Sequence, residues 1–210
     1  MTGDREAGGT GRISGLTKGR MENLTDGIFA FAMTLLVTTL DFPSTDASLP
    51  PLTPQMLVAT YFPDFLNFFI AFVVLAGFWM AHHALFRHIR FIDRPLLWMN
   101  VLSLLFVALL PFSTDLAGDY PEVPLAAVVF EANLLAIGLF LSLIWNYATT
   151  DRRFVEKDLD EGIVRVHARR GLVIPGVSAL GILLALLGLH WTTLIYIATP
   201  LFFLVTGREG

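Results

Sequence analysis

The chain has 210 residues, 55% hydrophobic and 15% charged, with mean hydropathy +0.66, no cysteine and a formal net charge of −4. A soluble domain of this length is closer to a quarter charged, so the balance points to an integral membrane protein. The missing cysteines exclude disulfides, thiol chemistry and cysteine metal sites, and so small a net charge identifies no partner.

Residues 1–19 are rich in Gly, Thr and Ser without periodicity and are expected to form a flexible cytoplasmic tail. The first apolar span runs from about Arg20 to Leu40. No cleaved signal peptide is expected, because the run starts some two dozen residues in and is followed by Asp41-Phe42-Pro43. Asp41 to Gln55 holds Pro43, Pro50, Pro51 and Pro54 and reads as a loop. The second span begins at Met56 or Asp64 and ends at His88. A basic turn, Arg87 to Arg94, leads through Pro95 into a third span expected to stop near Pro111. The fourth covers Pro124 to Tyr147, with Glu131 inside it. The polar stretch 151–170 reads as a cytoplasmic connector, helical or not. Leu172 to Leu189 and Trp191 to Val205 complete six spans, each close to the roughly 20 residues that cross hydrocarbon. No internal duplication is evident, so residues 20–208 are read as one six-helix transmembrane domain, all-α, without the matched broken helices of many transporters.

The positive residues set the orientation. With six spans, all 14 Lys and Arg fall on one side: the tail, the turn after span two, the connector and Arg208. The positive-inside rule then places both termini in the cytoplasm, in a cell inner (plasma) membrane. The opposite loops carry Asp41, Asp46, Asp115, Asp119 and Glu122 and no base, a surface that favours cations nearby.

The first span is the candidate functional element. Phe31, Leu35 and Thr38 follow one another at spacings of four and three, on one helical face. On spacing alone this stripe reads as a lipid or packing face ahead of a pore lining. Arg20 and Asp26 lie about 240° apart round the helix and cannot pair along it. They are either interfacial anchors or one side of a polar bracket with Trp79 and His82, which are three apart on span two and can donate hydrogen bonds. Glu131, about 10 Å into its helix, is either a proton relay or, more in keeping with such residues, bonded to a Ser, Thr or Asn inside the bundle. Asn133 and Asn146 read as further glue. His82, His83 and His88 are not spaced for a metal, and no hydrolase, metalloprotease or phosphate-loop motif occurs, so no enzyme, cofactor or nucleic-acid role is expected.

Arg20-x-x-x-Leu24-Thr25-Asp26, then Phe29-Ala30-x-Ala32-x-Thr34-Leu35-Leu36, resembles the R-x-x-x-F-S-D first helix of the transmembrane protein 175 family of potassium channels. Phe78-Trp79-x-x-His82-x-x-Leu85-Phe86, Asn100 and Leu110-Pro111-Phe112 continue the resemblance. It covers the length of the chain and is most specific in spans one to three. It implies a homotetramer of six-helix subunits, as in bacterial members, with helix 1 lining a central pore and a hydrophobic constriction replacing a carbonyl filter. Counted from the motif aspartate, the constriction falls on Phe31, with Thr34 or Leu35 and Thr38 as further pore-facing positions. Arg20, Thr25, Asp26, Trp79, His82 and Asn100 become the motif and inter-helix polar network. Phe31 stands where the family carries Ile or Leu, and Thr38 where Leu is common. The function implied is a modestly selective, leak-like channel for K+ and other monovalent cations, without cofactor, its partners being its own copies and the bilayer. The alternative is a proton-coupled secondary transporter using Asp26, His82 and Glu131; a structural membrane subunit is a third reading.

Overall fold

Residues 17–40, 53–189 and 196 are described by the structure, a computed structural model. Helix α1, Lys18–Leu35, passes into a 3-10 turn, Leu36–Thr39. It is followed by α2 (Pro54–His88), α3 (Arg94–Asp119), α4 (Pro124–Thr149), a 3-10 turn at Thr150–Arg152, α5 (Glu161–Gly171) and α6 (Val173–Leu186). A single isolated bridge, Ile89 to Val155, is the extended pairing among the described residues. The chain is therefore all-α over what is described.

Local chemistry starts two of the long helices in the same way. The Met56 N–H donates to Thr53 Oγ1 at 3.3 Å with Pro54 opening α2, and the Leu96 N–H donates to Asp93 Oδ1 at 2.9 Å with Pro95 in the first turn of α3. Each cap satisfies an N–H that the first turn leaves unpaired, and proline there has no N–H to lose. Asp160 caps α5 likewise, accepting from the Ile163 N–H at 3.3 Å.

Among the described residues four helices are long and apolar enough to cross a membrane: Pro54–His88, Arg94–Asp119, Pro124–Arg152 and Glu161–Leu186. α1 stands apart because Lys18, Arg20, Glu22 and Asp26 occupy its first half. The third span does not stop near Pro111; α3 runs on to Asp119 with that proline inside it. A proline removes one N–H donor and strains one turn, but a helix packed among others is held by its neighbours. The connector is helical from Glu161, and Leu172 keeps right-handed helical angles (φ −87°, ψ −9°), so α5 leads almost directly into α6. The expected sixth span, the tail before Thr17 and the loop 41–52 lie outside the described residues, except for Tyr196.

Helix α4 is the hub, packed against α3, α5 and α6, while α1 lies against α2 and α3. Its buried face includes Phe130, Leu134, Ile137, Leu141, Ile144 and Trp145. The approach of α6 depends on missing side chains. A Cβ at Gly138 would meet the Pro175 ring at 2.7 and 2.8 Å, and one at Gly181 would run into the Glu131 carboxyl. Small residues at such contacts let helix backbones close up where no hydrophobic effect drives association.

Candidate functional site on the first helix

α1 has two faces of opposite character. Met21, Thr25, Phe29, Ala32 and Leu36, at spacings of four and three, are buried against α2 and α3. The other side carries Leu24, Gly27, Phe31, Thr34, Val37 and Thr38, all exposed, with Leu35 half-buried at its edge. Phe31 is 65% exposed. The hydroxyls of Thr34 and Thr38 each donate backwards at 2.7 Å, to the carbonyls of Phe31 and Leu35. A hydroxyl that spends its proton on its own helix presents only oxygen lone pairs outward.

The buried face is fastened by side-chain hydrogen bonds. Asn100, fully buried on α3, donates through Nδ2 to Thr25 Oγ1 at 3.1 Å, and its Oδ1 lies 2.8 Å from His82 Nε2. Since Oδ1 only accepts in this arrangement, His82 Nε2 carries the proton. The imidazole stacks on Phe86 with ring centroids 4.1 Å apart and sits 6.3 Å from Phe29. Thus α1, α2 and α3 share one connected polar chain in an apolar setting, where an unpaired donor is costly. Trp79, three residues before His82, takes a different partner: its indole N–H donates to Asp26 Oδ1 at 2.9 Å. This second contact is open to solvent on both sides.

Arg20 is exposed, and among the described residues its side chain makes no hydrogen bond or ion pair. Glu131, fully buried, belongs elsewhere. It accepts from the Tyr196 hydroxyl, which also lies 2.8 Å from Ser178 Oγ, and Gly181 leaves it room. The sequence points to a Ser, Thr or Asn as the partner of Glu131; the structure gives it the Tyr196 phenol, with Ser178 one bond further on. No hydrogen bond among the described residues joins this cluster on α4 and α6 to Asp26 or His82. Asn133 Nδ2 donates to Ser113 Oγ at 3.0 Å, tying α4 to α3. Among the described residues no group of three or more His, Cys, Asp or Glu could hold a metal.

The family model for "Endosomal/lysosomal potassium channel TMEM175" matches residues 20–111, the stretch that contains both hydrogen-bonded contacts of α1. A potassium channel of Chamaesiphon minutus is 29% identical over 163 residues, covering 76% of this chain and 79% of that one. The mouse endosomal/lysosomal proton channel TMEM175 is 26% identical over 149 residues, of which this chain spans 30% of the length. The crystal structure of a lysosomal potassium-selective channel TMEM175 homolog from Chamaesiphon minutus superposes with a TM-score of 0.75 at 26% identity, over 90% of this chain and 97% of that one. Family model, bacterial relative and fold place the resemblance on the same helices that the buried contacts join, and over those helices the chain is similar to the TMEM175 potassium channels.

Proposed function

We propose that this chain forms a potassium-permeable, modestly selective, leak-like cation channel, a homotetramer of six-helix subunits in which α1 of each copy lines a central pore narrowed at Phe31. The relatives named potassium channels support the activity. The observation that carries the pore assignment is the unpartnered face of α1: a phenylalanine 65% exposed, in line with two threonines whose oxygens point outward, opposite a face fully engaged with the subunit's own core.

Four phenyl rings around an axis form a collar that excludes water and admits an ion only with part of its hydration shell removed. K+ gives up water at lower cost than Na+, which favours K+. An oily ring holds no ordered carbonyls to discriminate by fit, which keeps the preference modest. About two helical turns further on, roughly 10 Å at 1.5 Å per residue, Thr38 offers hydroxyl oxygen to replace lost water. The bonds of Thr25 and Asp26 to Asn100 and Trp79 support this reading by fixing which side of α1 turns inward. In the proposed topology both termini are cytoplasmic, in the inner (plasma) membrane, and the chemistry requires no cofactor.

Reversal potentials of the protein reconstituted under opposed K+ and Na+ gradients test the assignment. Phe31→Ala is expected to raise conductance and bring the K+ preference toward unity, and Thr38→Ala to lower conductance with a smaller change in preference. Currents unaltered in both variants would place the pore elsewhere.

A further inference from the structure

At the opposite end of α2 from its cap lies a cluster that the proposed permeation path does not use. His88, the last residue of α2, approaches His167 of α5 edge to face, with ring centroids 5.5 Å apart and planes at 77°. Trp145 of α4 completes the group, 5.0 Å from His167 and 6.1 Å from His88. Its indole N–H donates to the Val164 carbonyl of α5 at 3.1 Å. His167 Nδ1 lies 3.0 Å from the Ile163 carbonyl. A carbonyl only accepts, so the neutral ring carries its proton on Nδ1 and Nε2 takes up the next one. The edge-on-face approach is not that of two imidazoles converging on one ion, and no third metal ligand stands by among the described residues.

The charges around the pair are mostly positive. Arg87 precedes His88 on α2, and a charged His167 would stand in ring contact with His88. From α5, Arg170 follows His167 by three residues, on the adjoining turn. From the connector, Glu156 is the nearby carboxylate, and Arg90 already pairs with it at 2.9 Å. α4 contributes the uncharged Trp145. Two imidazolium ions in ring contact beside Arg87, with Glu156 already paired to Arg90, would repel.

We propose that His88, His167 and Trp145 form a pH-operated latch, closed on neutral imidazoles and holding α5 against α2 and α4, and opened by protonation. Because α5 leads through Leu172 into α6, release of the latch frees the root of a membrane-crossing helix. The latch stands on ring geometry and not on the pore assignment; sidedness decides only which compartment's acid opens it.

Hydrogen exchange of the full chain in detergent, read over α5 by mass spectrometry and corrected for the intrinsic effect of pH, tests it. Wild type is expected to lose about tenfold of its α5 protection on acidification through the range in which imidazoles charge. His167→Gln should keep α5 protected across the range, and His167→Arg should leave it unprotected even at neutral pH. Trp145 emission, taken as wild type minus Trp145→Phe, should fall with the same midpoint as the neighbouring imidazoles charge. Protection of α5 that does not change with pH in wild type overturns the proposal. So does an unchanged pH profile in the His88→Gln, His167→Gln double variant.

Discussion

Replacing Gly138 by alanine separates close packing from helix propensity. Its Cβ would stand 2.7 and 2.8 Å from Pro175 Cδ and Cγ, close to an ångström inside ordinary contact, and a proline ring has no rotamer by which to withdraw. Helix α6 must therefore move off α4. Overpacking of this kind costs about 1–3 kcal/mol. Against it stands the gain of putting alanine for glycine in a helix interior, about 1 kcal/mol. The net is a loss of roughly 0–2 kcal/mol, or a fall in melting temperature of up to roughly 8 °C for a chain of this size. The gap to a variant that only gains helix propensity is roughly 1–3 kcal/mol. Gly176→Ala is the matched control: it lies next to Pro175 on the same helix, exposed, with nothing within 4 Å of the added methyl. That variant should melt at or slightly above wild type. Thermal unfolding of both in one detergent, followed by circular dichroism, decides the matter. Equal melting temperatures for the two variants would refute the claim that α4 and α6 meet through the missing side chain at Gly138.

Gly181→Ala pushes on a flexible carboxyl rather than a ring, so the expected result is displacement of Glu131 from Tyr196 at a cost of about 1–3 kcal/mol. A double-mutant cycle with Glu131→Ala should then give a combined loss smaller than the sum of the two, and strict additivity would contradict the contact. Asn100→Leu removes the joint between Thr25 and His82 and leaves a buried imidazole N–H unpaired. Destabilisation of about 1–3 kcal/mol is expected, toward the low end because hydrogen bonds between membrane helices average near 0.6 kcal/mol. Denaturation of the purified variant measures it, and wild-type stability would show that the joint carries no energy.

Which parts of this arrangement were legible in the sequence follows from the range of the forces involved. Apolar runs and capping residues act locally, so Asp93 with Pro95 marks a helix start that the sequence places to within a residue or two. Pro54, which reads as loop ahead of a span from Met56 or Asp64, is instead the first residue of α2 behind its Thr53 cap. The spacing of Trp79 and His82 put both on one side of α2. Only three-dimensional packing separates them, sending the buried ring to Asn100 and the half-exposed indole to Asp26. Pro111 misled because a proline signals a stop in an isolated helix, whereas α3 is held on both sides of it by its neighbours. The partner of Glu131 was illegible for a different reason. Tyr196 lies 65 positions away, and no local pattern links a carboxylate to a phenol at that distance. By contrast α5 left a signal that could have been used: Asp160 as a cap, then Val164, His167, Ala168 and Gly171 on one face.

The division of α1 into a polar-stapled side and an oily side bears directly on how such a helix could serve as a pore wall. In hydrocarbon an apolar helix gains nothing by turning one greasy face rather than another toward its neighbours, because lipid is as apolar as leucine. Rotation must therefore be set by something lipid cannot replace, and the bonds Asn100–Thr25 and Trp79–Asp26 meet that condition. A turn of α1 by one residue, about 100°, would carry Thr25 away from Asn100 and swing Phe31 off the outward face at the same stroke. In the proposed tetramer, loosening the staple and blurring the constriction are thus one event. Asn100→Leu should shift the reversal potential although the residue is buried on α3, on the side of α1 opposite the Phe31 stripe. A variant that lost stability yet kept the wild-type K+ preference would show that the rotation of α1 is fixed by contacts between subunits and not by this network.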